Sequence, residues 1–392
     1  MAGLGRKVFA AGDVLAAADV DGYLMDQTVM TFAGTAARSS AIGTASEGMY
    51  TYLSDSNDTQ FYNGSAWESQ FGKGRNAIIN GGFDFWQRGT SFNGAGLLYS
   101  ADRWTYWRDA YASGITASRQ LSGDTANLPN AKYCLRIARD SGNSNTGLIY
   151  TNQPITNDDS LPLIGKTITL SAWIRKGANF SGSTVSMLVR SGTGTDQPVN
   201  NMTGATTVAT TPAAVTTTWQ RFTVTGTVGA SATQLGVEFN YTPTGTAGAA
   251  DYFEVANVQL EAGSVATPFS RAGGTLQGEL AACQRYFYRK ANGGTYMFFG
   301  NGRANNTTTV EAEFKMPVTM RVTPTSLEYG GTLASYDGIT ISNISSMAFN
   351  TNQLTADSCV LVMAGTGFTQ FRPYTLISNN STTSYVGINA EL

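Results

Sequence analysis

Histidine is absent from the 392 residues, which removes imidazole-activated Ser or Cys nucleophiles and zinc sites that need His. Any catalysis would rest on carboxylate, Lys or Tyr chemistry. Glu311 and Glu313 sit two apart in an alternating run, so strand geometry puts them on one face about 7 Å apart, within the glycosidase range. Carboxylates side by side do not flank a sugar bond, and with Lys315 and Arg321 nearby they read as a solvated, ion-paired face. Asp158-Asp159 lies in a polar stretch and reads the same way. Gly165-Lys166-Thr167 has the end of a phosphate-binding loop, but Ser160 occupies the place of its first glycine and a strand pattern follows where a helix is required. Cys134, Cys283 and Cys359 are widely spaced and odd in number, giving neither a disulfide framework nor a CxxC metal pattern. Buried free thiols are the expectation.

The elements able to position any site are mostly strands. Ile168, Leu170, Ala172 and Ile174 alternate with a period of two, as do Phe222 and Val224, and Leu235, Val237, Phe239 and Tyr241. Residues 191–218, rich in Thr, Ala and Gly, interrupt that rhythm and are expected to form a long surface loop. A stricter alternation runs from Val310 to Val322, broken by Pro317, which calls for an edge strand or a bulge. Short strands near 339–341, 359–363, 374–377 and 385–388 would complete a second sandwich, after a helix over about 275–288 carrying Leu280, Cys283 and Phe287 on one side. At the start, Val20, Tyr23, Leu24, Val29 and Met30 fall at helical steps, predicting a helix over 17–30 with a face too apolar to stand alone. Residues 33–48 read as a linker, and 49–53 with 59–62 as a hairpin.

The expected fold is therefore mainly β: a short N-terminal helix and hairpin, a β-sandwich, then a short helix and a second β-sandwich. The domains are expected at 1–73, 74–272 and 273–392. Charged residues make up only 13% of the chain, against about 25% in an ordinary soluble domain. Solubility rests on Thr, Ser, Asn and Gly, a composition suited to Thr-faced sheets. A net charge of −2 with scattered Arg argues against nucleic acid as a partner. Membrane insertion is not expected either, since no run of 18 apolar residues occurs, and the start MAGLGRKVF lacks the apolar core of a secretory signal. The lack of an internal repeat weighs against a stacked-rung β-helix.

Two bracketing segments carry a family resemblance. NAIINGGFDFWQRGTSF (76–92), with Ala101-Asp102-Arg103-Trp104 and the stretch 258–271, resembles the jelly-roll domain of many tailed-bacteriophage fibres. Residues 11–68 resemble the amino-terminal segment of siphophage minor tail and fibre proteins, and LAACQRYFY (280–288) resembles the short helix that opens a distal tip domain. The resemblance covers about two thirds of the chain. It implies a virion tail protein folded in the host cytoplasm. On that reading 1–73 anchors the chain to other tail proteins through Val20, Tyr23, Leu24, Val29 and Met30, a homotrimer forms, and host-surface glycan is bound without catalysis. Glycan contact would fall to aromatics able to stack on a sugar ring: Trp104, Tyr106, Trp107 and Tyr111, with Tyr296 beside residues 301–306 as a second surface. Trp104 and Trp107, three apart, cannot share a strand face, so one belongs in the core. No cofactor is expected. Similar jelly rolls often hold calcium where the first and last strands meet; the matching positions are Asn80, Asp84 and Asn257, which carry few charges for an oxygen cage, and a plain hydrogen-bonded turn is the alternative. A purely structural tail-tip or head spike protein, or a polysaccharide depolymerase, are the competing readings.

Overall fold

The computed structural model describes residues 12, 14, 16–20, 28–55, 58–69, 76–109, 113–128, 130–291 and 293–392. They form two compact units, 1–75 and 76–392. In the first, the strand Val29–Phe32 pairs in parallel with Tyr50–Leu53, a pairing that requires a crossover. The crossover is the helix Thr35–Ala41. Antiparallel strands Asp58–Tyr62 and Trp67–Ser69 complete the sheet, so the expected hairpin is present.

Two expectations are corrected in this unit. Of the helix predicted over 17–30, Ala17–Val20 is helical, whereas Val29 and Met30 lie in a strand, because β-branched Val29 and Thr31 with Phe32 suit a pleated surface better than a helix turn. The segment read as a linker holds the helix Thr35–Ala41, whose Arg38 reaches under the sheet. Its guanidinium donates to Thr51 Oγ1 at 3.3 Å and Gln60 Oε1 at 2.5 Å and stacks over Trp67 at 4.3 Å. Tyr23 and Leu24 lie outside the described residues.

The second unit opens with two six-stranded antiparallel sheets. One runs in the order Thr206–Ala213, Val185–Gly192, Gln234–Tyr241, Ile149–Ile155, Thr105–Arg108, Leu98–Tyr99. The other runs Gln220–Thr227, Thr167–Lys176, Tyr252–Ala262, Tyr133–Arg139, Ile115–Leu121, Ser91–Phe92. The alternating residues meet as expected: Ile168, Leu170, Ala172 and Ile174 share one buried core with Leu235, Val237, Phe239 and Tyr241. Residues 191–218 are not one long loop. They contain the edge strand Thr206–Ala213, since Thr carries strand propensity on a wettable face and an edge tolerates Pro212.

The two bracketing segments close the sandwich on each other. Asn76 donates through Nδ2 to the carbonyls of Val258 and Ser270, both at 3.0 Å, and accepts the amides of Ile78 and Leu260 at 2.9 and 3.1 Å. The Val258 amide donates to Gly81 O at 2.9 Å. A Cβ at Gly81 would lie 2.1 Å from the Val258 carbonyl oxygen, so only glycine admits this approach.

Beyond the helix Leu276–Gln284, capped by the Thr275 hydroxyl, a second sandwich forms. A three-stranded sheet places Tyr385–Asn389 between Phe287–Ala291 and Ser326–Gly330. It packs on a seven-stranded sheet through Val386, Ile388, Phe314 and Leu361. The long alternation stops at Lys315, two residues before Pro317, and the strand Thr309–Lys315 lies inside the seven-stranded sheet instead of at an edge. Proline cannot continue a ladder, so the chain turns there and buries Met320 by another route. All three cysteines are free and buried.

The two sandwiches share polar groups that neither could bury alone. Arg103 pairs with Glu391, donates to Pro154 O at 2.8 Å and stacks over Tyr286 at 3.6 Å. Gln87 Nε2 donates to Asp102 Oδ2 and to Phe287 O, both at 2.7 Å. Glu279 accepts the amides of Asn80 and Gly273. These contacts make 76–392 one compact unit.

Candidate functional site

The residues facing away from the core on the first six-stranded sheet form the best candidate. Registers place Trp107, Tyr150, Asn240 and Ser186 in one row across four strands, and Thr105, Asn152, Glu238 and Leu188 in the next. Each alternates with a core residue, which puts all eight on the outer face. Trp107 is half-buried, presenting part of its indole. Glu238 is held from two sides: Arg190 Nε and Nη2 approach its two oxygens at 3.2 and 3.5 Å, and Asn240 Nδ2 donates at 2.5 Å.

Burial, and then the charge of Glu238, raise the Tyr150 phenol well above its ordinary value, so its hydroxyl stays a neutral donor. Asn152 is 1% exposed. Its Oδ1 accepts from Thr105 Oγ1 at 2.6 Å, while Nδ2 has no acceptor among the described residues. An unpaired buried amide donor is costly. Over these two rows and the next, which holds Arg190, the face carries half-exposed Trp107, Asn240 and Arg190 above the buried Tyr150, Asn152 and Glu238, and rings with such polar neighbours stack on a sugar and satisfy its hydroxyls.

Exposure falls along the strands. On Gln234–Tyr241, Asn240 is half-exposed, Glu238 is buried, and Gly236 and Gln234 are covered. The cover is the 3-10 turn Val199–Asn201 with Met202: a Cβ on Gly236 would meet Val199 Cγ2 at 2.6 Å and Met202 Cε at 3.1 Å. A separate groove of about 180 Å³, lined by Ser191, Thr193, Thr206, Thr227 and Ser231, carries hydroxyls but no ring or charge.

The other sequence-predicted residues are dispersed. Trp104 and Tyr106 are sealed in the core beside Phe83 and Phe239, so neither can stack on a ligand. Trp107 is therefore the partner of the pair that faces out. Tyr111 lies outside the described residues. Tyr296 is 56% exposed, ahead of the strand Phe298–Ala304 in the second sandwich and not on this face.

The calcium positions form a hydrogen-bonded turn. Asn80 spends its amide on Phe85 O, Asp102 O and the Phe85 amide, while Asp84 pairs with Arg271 at 2.9 Å. Asn257 sits at φ 48°, where the ladder with Thr167–Lys176 slips by a residue. Among the described residues no three His, Cys, Asp or Glu are grouped to hold a metal, and no helix is long and apolar enough to cross a membrane. Glu313 pairs with exposed Lys315 at 3.5 Å, and Glu311 accepts from Asn350 at 3.4 Å, as a solvated face would. Sequence reasoning missed Tyr150, Asn152, Arg190, Glu238 and Asn240. The signal for two of them was present, since Glu238 and Asn240 alternate with Val237, Phe239 and Tyr241.

No protein-family model matches the chain, and no curated protein does. Among solved structures, the enzymatically active domain of tailspike protein 4 of bacteriophage CBA120 shares 15% identity over 48% of this chain and 21% of that one, with a TM-score of 0.30. This chain thus spans about a fifth of that tailspike chain. TmCBM61, solved with β-1,4-galactotriose, shares 9% identity over 48% of this chain and 99% of its own, with a TM-score of 0.30. The C-terminal family 22 carbohydrate-binding module of Clostridium thermocellum Xyn10B shares 19% over 42% and 90%, with a TM-score of 0.28. The protein is a mainly β chain with a distant, partial likeness to carbohydrate-binding β-sandwiches, one of the similar structures being part of a phage tailspike.

Proposed function

We propose that this chain is a non-catalytic component of a tailed-phage fibre or tail tip that binds host-surface glycan on the outer face carrying Trp107 and Tyr150. One observation carries the reading: half-buried Trp107 stands in one register row with half-exposed Asn240, beside the Glu238–Arg190 pair. Such a face binds by stacking and hydrogen bonding. The catalytic alternative lacks support, because the chain has no histidine and Glu311 and Glu313 engage their own neighbours. The phage role rests on the bracketing segments and on residues 11–68, which resemble fibre and minor tail proteins. A homotrimer would multiply a weak site by avidity.

Purified full-length chain should bind host cells and compete with infection, and the Trp107→Ala chain should do neither. Equal competition by both would remove the outer face from the account. A purely structural tail role is favoured by one observation: Tyr296, Met297 and Phe298 form a contiguous exposed apolar stretch suited to a neighbouring subunit. On that reading Trp107→Ala is silent and Phe298→Ser alters assembly.

A further inference from the structure

We infer that Arg321, from the second sandwich, is a positioning residue for the outer-face site, holding the wall segment 193–204 against it. The inference rests on the glycan reading above and deepens it, because it assigns part of the site's shape to the distal half of the chain.

Segment 193–204 does not adhere to the sheet by apolar burial alone. Val199 and Met202 fill the space over Gly236, and Gly236 is in register with Arg190, whose guanidinium holds Glu238. Wall and polar cluster are therefore neighbours on the same strands. Gln197 and Gln234 exchange two hydrogen bonds, at 2.9 and 3.0 Å, pinning the segment's middle to the start of Gln234–Tyr241. At Asp196 the backbone turns through φ 49°, uncommon for a non-glycine residue. Its Oδ1 accepts the Asn157 amide at 2.9 Å, and its Oδ2 accepts from Arg321 Nη1 at 2.6 Å.

Arg321 is itself rigidly held. Nε and Nη2 donate to the carbonyls of Ala390 and Glu391 at 3.2 and 3.4 Å, and the guanidinium lies 5.9 Å from the Tyr286 ring. The guanidinium thus bridges the final residues of the second sandwich to the wall segment of the first. Asn157 ties the same stretch within the first sandwich, accepting the Asp196 amide at 2.6 Å and donating to Gly194 O at 3.3 Å, and Arg321 ties it to the second. Loosening it would shift Val199 and Met202 over Gly236, the register partner of Arg190, and so change the shape of the ligand face without touching a ligand-facing residue.

The test uses the full chain and the variants Arg321→Gln and Asp196→Asn; the second keeps the Oδ1 acceptor for Asn157 and spares the Arg321 scaffold should the first variant fold poorly. Hydrogen exchange should accelerate at the amides of 193–204, with the core strands Ile149–Ile155 and Thr167–Lys176 unchanged. Calorimetric titration with cello-, xylo- and chito-oligosaccharides should show the preferred one weakened between about two- and thirtyfold, the range of coupling through supporting residues. Unchanged exchange in 193–204 for both variants overturns the inference. So does faster exchange with wild-type affinity, while Trp107→Ala still abolishes binding. If Trp107→Ala leaves binding untouched, the glycan reading itself fails and the positioning role falls with it.

Discussion

Glu391→Gln should destabilise the unit formed by residues 76–392 far more than a typical surface change. Arg103 and Glu391 are 1% and 3% exposed, so the guanidinium has left water almost entirely. Removing the negative partner leaves a buried cation, a change worth about 3–5 kcal/mol. Arg103 keeps the Pro154 carbonyl at 2.8 Å and the Tyr286 face at 3.6 Å, which offset part of the loss. Arg88, 3.4 Å from the same carboxylate, loses a partner too. The sum stays near the lower half of that range, and urea unfolding of the full chain should show its midpoint falling by about 1 M. The double variant Arg103→Leu/Glu391→Leu removes both charges and should lie within about 1 kcal/mol of wild type, since an apolar pair often replaces a buried ion pair without loss. An unchanged midpoint for Glu391→Gln, or a double variant as unstable as the single one, would refute the idea that this pair locks the two sandwiches.

Three further outcomes follow from the same contacts. Burial pushes the Asp102 carboxyl up to about 6, above its unfolded value, so the folded chain holds its proton more tightly and stability from this group is lost as pH rises through 6. Between pH 7 and pH 5 it should add about 1.4 kcal/mol, and Asp102→Asn should flatten that increment in urea titrations at the two pH values. Gly81→Ala forces a Cβ to 2.1 Å from the Val258 carbonyl and should cost about 1–3 kcal/mol by overpacking; thermal melting equal to wild type would show that the closing strand can shift. Thr275→Ala removes the cap of Leu276–Gln284 and should cost about 1 kcal/mol, read as a small lowering of the urea midpoint.

The strands were legible wherever one face is apolar and the other polar, as at Ile168 to Ile174 and Leu235 to Tyr241, because burial on a single face enforces period two. Legibility failed where tertiary partners decide. Thr35–Ala41 has no amphipathic stripe, and its anchor is one buried Arg38 reaching Thr51, Gln60 and Trp67. Thr206–Ala213 is a strand because Val185–Gly192 offers it a ladder, which composition alone does not reveal. For the site, Trp107 was legible as an aromatic but not as outward-facing. Choosing between it and Trp104 required the register of Thr105–Arg108 with Ile149–Ile155. Arg190 and Glu238 are 48 residues apart in the chain and meet only through strand pairing.

We propose that the outer face around Trp107 binds sugar. Calorimetric titration of wild-type and Trp107→Ala chains with the host's own surface oligosaccharides tests it most directly, and truncating a ring that anchors a ligand should cost about 2 kcal/mol or more. The account expects saturable binding by wild type and at least a roughly tenfold loss in the variant, with Tyr296→Ala indistinguishable from wild type. Equal affinity in wild type and Trp107→Ala, with the loss appearing at Tyr296, would contradict it.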